Sequence, residues 1–152
     1  MIELTPNAAI FNYFPWPPTS NTIYVERDRR RASDSLKNYK MSIQAYALIH
    51  REIIYKVKQY LHDKINNKDL VLSVHRFFFY RTEDLYTKKG TIKKNDVTNR
   101  IKCTDDALTD ILGLDDRLIW EGSEKKCITK KEQHVKLIIT PVLPEGRFNE
   151  FP

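Results

Sequence analysis

Leu70-Val71-Leu72-Ser73-Val74-His75-Arg76-Phe77-Phe78-Phe79-Tyr80 is a run of β-branched and aromatic side chains. That composition predicts a central strand of a sheet. The segment before it has a different rhythm. Leu36, Tyr39, Ile43, Tyr46, Ala47, Ile53, Ile54, Val57, Tyr60, Leu61 and Ile65 recur at helical intervals, with Lys, Arg, Gln and His between them. This is the stripe of an amphipathic helix that packs on a core. Ser33 or Asp34 supplies an N-cap, and Asn66-Asn67-Lys68-Asp69 supplies the stop, so one long helix to about Asn66 is expected. A long amphipathic helix leading into a central strand points to helices laid on a sheet.

The remaining elements follow outward from this pair. Ile10-Phe11-Asn12-Tyr13-Phe14 reads as a first strand. In Pro15-Trp16-Pro17-Pro18-Thr19-Ser20-Asn21 the prolines rule out helix and fix an extended path. Thr22–Val25 is expected as a short strand, and the arginine knot after it as an exposed loop. Residues 81–95, charged and containing Gly90, predict a loop or irregular hairpin. A second helix is expected from Val97 to Leu112, with Gly113 as its stop. Two last strands, Leu118–Ile128 and His134–Leu143, read as a hairpin joined by a Lys-rich turn and ended by Pro141 and Pro144. The expected order is β-β-α-β-α-β-β: a single α+β domain, core about 10–142 with short tails, whose mixed sheet carries a long and a short helix on one face. Trp16 and Phe77-Phe78-Phe79 are read as core rather than as base-stacking wedges.

The chain has 152 residues, 26 Lys plus Arg against 20 Asp plus Glu, and a net charge of +6. A pI of about 9.3 favours a polyanionic partner, nucleic acid ahead of an acidic membrane surface. The basic residues cluster as Arg27, Arg29, Arg30, Arg31; as Lys88, Lys89, Lys93, Lys94; and as Lys125, Lys126, Lys130, Lys131. Three basic loops of this kind can follow a phosphate backbone. Cys103 and Cys127, with four scattered histidines, have no zinc or redox spacing. Reduced thiols, no recognisable signal peptide and no apolar run of membrane-spanning length predict a cytoplasmic protein with no membrane partner and no small-molecule cofactor.

Against this basic background one stretch is acidic: Asp96-Val97-Thr98-Asn99-Arg100-Ile101-Lys102, then Asp105-Asp106-Ala107-Leu108, then Asp115-Asp116. Carboxylates this close repel one another unless a divalent cation sits among them. On a helical wheel with Asn99 at zero, Lys102 falls near 300° and Asp106 near 340°, roughly one polar face, while Ile101, Thr104, Leu108, Ile111 and Leu112 lie between about 120° and 220° as the core face. A carboxamide, an ammonium and an acid one turn apart can orient a ligand and neutralise a phosphate. As helix caps or solvated turns, Asp96, Asp115 and Asp116 would be ordinary; together they suggest metal-assisted attack on a phosphodiester.

At these residues the chain resembles the RusA family of Holliday junction resolvases. The family pattern is Asp-x-Asp-Asn-x-x-Lys-x-x-x-Asp-Ala-Leu followed by Asp-Asp. It is matched here by Asp96-Val97-Thr98-Asn99-Arg100-Ile101-Lys102-Cys103-Thr104-Asp105-Asp106-Ala107-Leu108 and Asp115-Asp116. The family also begins with a strand leading to Pro-Trp-Pro-Pro-Ser-x-Asn, here Pro15-Trp16-Pro17-Pro18-Thr19-Ser20-Asn21. The expected final hairpin is similar in position and length. The resemblance implies a homodimer, bacterial or phage-encoded, that binds four-way DNA junctions and cuts two strands symmetrically with Mg²⁺ or Mn²⁺. It implies Asp96 and Asp116 as metal ligands, Lys102 as the catalytic lysine, Asn99 and Asp106 as supporting residues, and Asp115 at the metal's edge.

One position departs from the pattern. Thr98 stands where the family has its second acid, and a hydroxyl is a weaker, neutral ligand for a hard cation. Asp105 or Asp115 is the nearest source of a compensating charge. The alternative reading is therefore a catalytically weakened or inactive junction-binding module of the same fold. A third is a nuclease of broader preference for flaps, forks or RNA.

Overall fold

The computed structural model describes residues 1–18, 24–25, 28–32, 34–93 and 97–144, with backbone alone at 24–25, 28–32 and 98–99. In chain order the strands are β1 (Ile2–Leu4), β2 (Ala9–Phe14), β3 (Tyr24–Val25), β4 (Asp28–Ala32), β5 (Val71–Arg81), β6 (Ile119–Thr129) and β7 (His134–Val142). The helices are α1 (Asp34–Ile49), α2 (Arg51–Lys68), α3 (Thr82–Leu85) and α4 (Thr98–Leu112), with a 3₁₀ turn at Asp116–Leu118. Five strands form one sheet in the order β1-β2-β7-β5-β6, and β3 pairs with β4 as a separate ribbon.

The run that starts at Leu70 is an interior strand. β5 pairs antiparallel with β7 on one side and parallel with β6 on the other. Its even-numbered residues Leu72, Val74, Arg76, Phe78 and Tyr80 are buried, while His75, Phe77 and Phe79 are only half-buried. The register aligns Ala9, Ile139 and Val74 across three strands, and likewise Phe14, Val135 and Phe78. Every one of these six is buried, so the helices cover this face. Val57 and Leu61 of α2 and Leu108 and Leu112 of α4 complete the core. Each such side chain contributes about 1.5–3 kcal/mol on burial. The fold is α+β, with a mixed sheet and helices packed on it, as the pattern predicted.

The structure corrects the sequence reading at four places. First, β6 and β7 are not a hairpin, because β5 lies between them. The connection 130–133 crosses the end of β5, a span of two strand spacings or about 9–10 Å, where the Arg81 N–H donates to Gln133 Oε1 (3.3 Å). Second, the long helix is two. The break falls at His50 (φ −104°, ψ 20°), although the hydrogen bonds His50 N–H to Tyr46 O and Ile54 N–H to His50 O persist around it (both 3.0 Å). At 100° per residue Tyr39, Ile43, Tyr46, Ile54, Val57 and Leu61 stay on one stripe through the break, so periodicity alone does not reveal it. Third, Arg29, Arg30 and Arg31 stand on strand β4, not in a loop; Arg27 lies outside the described residues. Fourth, Lys125 and Lys126 are on β6, where successive side chains point to opposite faces, so they do not belong to one basic loop.

Strand β1 was not anticipated. Residues 81–93 form α3 and then an irregular hairpin, closed by a Tyr86–Ile92 bridge and turned at Gly90 (φ +81°). Trp16 packs edge-on against Phe78 and Tyr80 (centroids 6.1 and 4.8 Å), and Phe78 is fully buried, as expected of core aromatics. Phe79 instead stacks on His134 across the sheet's other face (4.6 Å, 8°). No helix among the described residues is long and apolar enough to cross a membrane.

Candidate functional site

Helix α4 is half of the parallel crossover that links β5 to β6, so the chain returns along the edge of the sheet it has just left. The helix stops where Gly113 takes a left-handed conformation (φ 61°), with Gly113 N–H to Asp110 O and Leu114 N–H to Thr109 O closing the end. His62 of α2 lies 3.2 Å from the Leu112 carbonyl, which accepts from its Nε2. After the cap, the 3₁₀ turn feeds β6. Its first residues run past the polar face of α4, and the two walls enclose an open cleft of about 640 Å³.

Lys102, Asp105 and Asp106 line the cleft from α4, Asp116 and Ile119 to Gly122 from the other wall, and Arg76 from the floor of β5. The polar face of α4 is narrow. Lys102, Asp106 and Asp110 are exposed, while Cys103, Thr104, Ala107, Leu108, Thr109 and Leu112 are buried. The core arc is therefore wider than expected and takes in Cys103 and Ala107. Asp105, near 240° on the same wheel, falls inside that arc.

Asp105 pairs there with Arg76. Arg76 Nε donates to Oδ1 (2.8 Å) and Nη2 to Oδ2 (2.7 Å), while Nη1 donates to the Val74 carbonyl (3.2 Å). The side chains are 7% and 19% exposed. Two opposite charges on core-facing positions must meet, because either alone would be an uncompensated buried charge. Asp105 is thus committed to an arginine and does not make up the charge missing at Thr98.

Asp106 faces Asp116 across the cleft. Burial raises the Asp106 carboxyl above its ordinary value, Lys102 draws it down, and Asp116 and Asp105 push it up again. Two like charges in reach of one another are a fitting donor pair for a hard cation. Asp115 behaves differently. It caps the 3₁₀ turn and takes three bonds from Arg117, from its backbone N–H (3.0 Å), Nε (3.0 Å) and Nη2 (2.8 Å). These bonds hold its carboxyl down at about 2. Of the predicted residues the structure brings together Lys102, Asp106 and Asp116. Asp96 lies outside the described residues, as do the side chains of Thr98 and Asn99. Lys88, Lys89 and Lys93 are exposed in the hairpin after β5, with Lys93 Nζ bonded to Glu83 O (2.6 Å). Lys94 is outside the described residues.

Sequence reasoning missed Arg76, Trp120, Glu121 and Gly122. The signal for Arg76 was present, as a charge on the alternate of β5 that is otherwise Leu72, Val74, Phe78 and Tyr80. Trp120 is the extra residue of a β-bulge, since Leu72 pairs with Ile119 and Ser73 with Glu121. Bulges re-aim side chains on edge strands, and Trp120 is 58% exposed beside the acids. A Cβ at Gly122 would lie 2.1 Å from the Val74 carbonyl and 3.0 Å from Arg76 Nη1, so only glycine fits between β6 and the arginine.

The two segments that carry the family resemblance meet in space. Arg100 of α4 donates from Nη1 to Pro17 O (2.6 Å), 83 residues away, and lies over the Trp16 ring (4.8 Å). No protein-family model matches this chain, and no curated protein matches it.

Among the described residues no three His, Cys, Asp or Glu side chains form a metal-holding group. The chemistry of the donors that are present nevertheless suits Mg²⁺ or Mn²⁺. These ions take oxygen ligands, and Mg²⁺ is commonly held by one or two carboxylates with waters completing the shell. Asp106 and Asp116 on an open cleft offer that set.

Proposed function

We propose that the chain is a metal-dependent endodeoxyribonuclease that resolves four-way DNA junctions, acting as a homodimer. The observation that carries this reading is the convergence of Lys102, Asp106 and Asp116 in one open cleft of a strongly basic protein. Asp116 with Asp106 beside it, and Asp96 by the family resemblance, would hold Mg²⁺ or Mn²⁺, which when bound would supply an activated water and a polarised phosphate. The chain's own groups do the rest. Lys102 is exposed at the cleft and offsets negative charge developing on the phosphate. Asp106, with its raised carboxyl, sets the potential opposite Asp116 and orients the lysine beside it. The exposed Lys88, Lys89 and Lys93 add phosphate contacts outside the cleft. A two-fold dimer matches the two symmetric scissile sites of a junction.

The test is incubation of the protein with a labelled four-way junction and a linear duplex, each with Mg²⁺, Mn²⁺ or EDTA. Paired, metal-dependent nicks in the junction alone are expected, and Asp116→Asn should abolish them while leaving binding intact. Equal cutting by that variant would remove Asp116 from the mechanism. The second reading, a junction-binding module without cleavage, is favoured by one observation: Thr98 replaces an acid, and Asp105 is engaged by Arg76. Tight junction binding with no cutting under any metal would select it.

A further inference from the structure

Arg76 has a geometry that its pairing with Asp105 does not exhaust. A guanidinium carries five N–H groups. Two go to Asp105 and one to the Val74 carbonyl. The other two have no partner among the described residues, although the side chain is only 7% exposed. Arg76 nevertheless lines the cleft. The wall in front of Nη1 is Gly122, where any side chain would press on it at 3.0 Å. A pair that served only to tie α4 to β5 would be expected to spend its donors within the fold. This one leaves two of them unspent in a side chain that lines the same open cleft as Lys102.

We infer that Arg76 is the anion receptor of this cleft, a buried guanidinium clamped by Asp105 that takes a phosphate oxyanion on its remaining N–H groups. Asp105 fixes the plane of the guanidinium through two hydrogen bonds, so the donors are oriented before the ligand arrives. Planar, pre-oriented donors suit phosphate oxygens better than a mobile ammonium does. Lys102 then closes on the phosphate from the exposed rim. The receptor follows from the Arg76 geometry alone; that its anion is a phosphodiester of DNA rests on the nuclease reading.

The experiment titrates inorganic phosphate, and separately a 5′-phosphorylated dinucleotide, into the protein with Mg²⁺ and with EDTA. Binding is followed by calorimetry and by the Arg76 guanidinium ¹⁵N resonances. The Arg76 resonance is expected to shift on saturation with either ligand. Arg76→Lys, which keeps the charge and loses the fork, should weaken binding by about threefold or more, and the double variant Arg76→Met/Asp105→Leu by about tenfold or more. The double change replaces a buried ion pair with apolar side chains, a swap folds tolerate, and the resonance shift in the unmodified protein decides the matter should that variant not fold. An unmoved Arg76 resonance or full affinity in the folded double variant would each overturn the assignment. Tighter binding of the dinucleotide than of free phosphate identifies a nucleic-acid phosphate as the ligand; equal affinity leaves a receptor for phosphate itself. Phosphate bound at Arg76 by a protein that cuts no junction refutes the nuclease and leaves the receptor. Junction cleavage with an indifferent Arg76 does the reverse.

Discussion

Changing Asp105 to Asn is expected to cost about 3 kcal/mol of folding stability. Removing one partner of a buried ion pair costs about 3–5 kcal/mol, because the other charge stays in a low-dielectric site with nothing to balance it. Here the stranded group is Arg76, 7% exposed, and the lost partner is 19% exposed, which places the effect at the lower end. An asparagine also turns an N–H₂ toward one of the two arginine donors that now meet Asp105 oxygens. For a chain of this length about 3 kcal/mol lowers Tm by about 6–12 °C. The assay is urea unfolding at neutral pH with a calorimetric scan. Arg76→Met/Asp105→Leu should lie within about 1 kcal/mol of the starting protein, so Arg76→Met and Asp105→Leu measured singly should be strongly non-additive. Raising salt should alter the loss little, since the pair is shielded from the ions that screen surface charges. A loss below about 1 kcal/mol for Asp105→Asn, or additive single effects, would refute the claim that this pair is buried and mutually dependent.

Gly122→Ala should destabilise by about 1–3 kcal/mol, read by urea unfolding, because the added methyl meets the Val74 carbonyl at 2.1 Å and must push β6 off β5. The raised carboxyl of Asp106 means that its protonated form is favoured in the folded state. Stability from this group is full below the ordinary value of 3.8 and declines as pH rises through the raised folded value, so Asp106→Asn should flatten that decline in unfolding midpoints measured from pH 3 to 7. Asp115 has the opposite sign: what it contributes is present above 3.8 and disappears as pH falls through about 2. Carboxyl NMR titration should find its midpoint near 2 and see it return toward the ordinary value in Arg117→Ala.

Much of this fold was legible because local chemistry decides local structure. The prolines at 15, 17 and 18 restrict the backbone, the glycine at 113 is free to take the left-handed conformation that ends α4, the aromatic run from Leu70 favours a strand, and each element appeared where these residues required. Pairing is another matter. β6 and β7 each carry the pattern of a strand, and a short connection between two strands ordinarily makes a hairpin. Nothing in either strand announces that β5, some forty residues earlier, will insert between them. That choice depends on which partner covers the buried face of β5, a property of the assembled sheet. The break at His50 leaves no mark in the sequence for a related reason, since the apolar stripe keeps its phase through it.

The candidate site divides along the same line. Lys102 and Asp106 were found because a helix of known period fixes which residues share a face, and Asp116 because it follows the helix stop. Asp105 was grouped with them by its charge. Yet its place on the wheel set it among core residues, and Arg76 occupied a core alternate of β5. A charged residue at an apolar position in each of two elements is a prediction that the two meet. Read that way, the pair ties α4 to the strand beneath the cleft, much as Arg100 ties α4 to Trp16 and Pro17 at its other end. The helix that carries Lys102 and Asp106 is thereby anchored through two arginines. Its polar face is set beside the cleft by contacts to β5 and to the Trp16–Pro17 segment that no local periodicity displays.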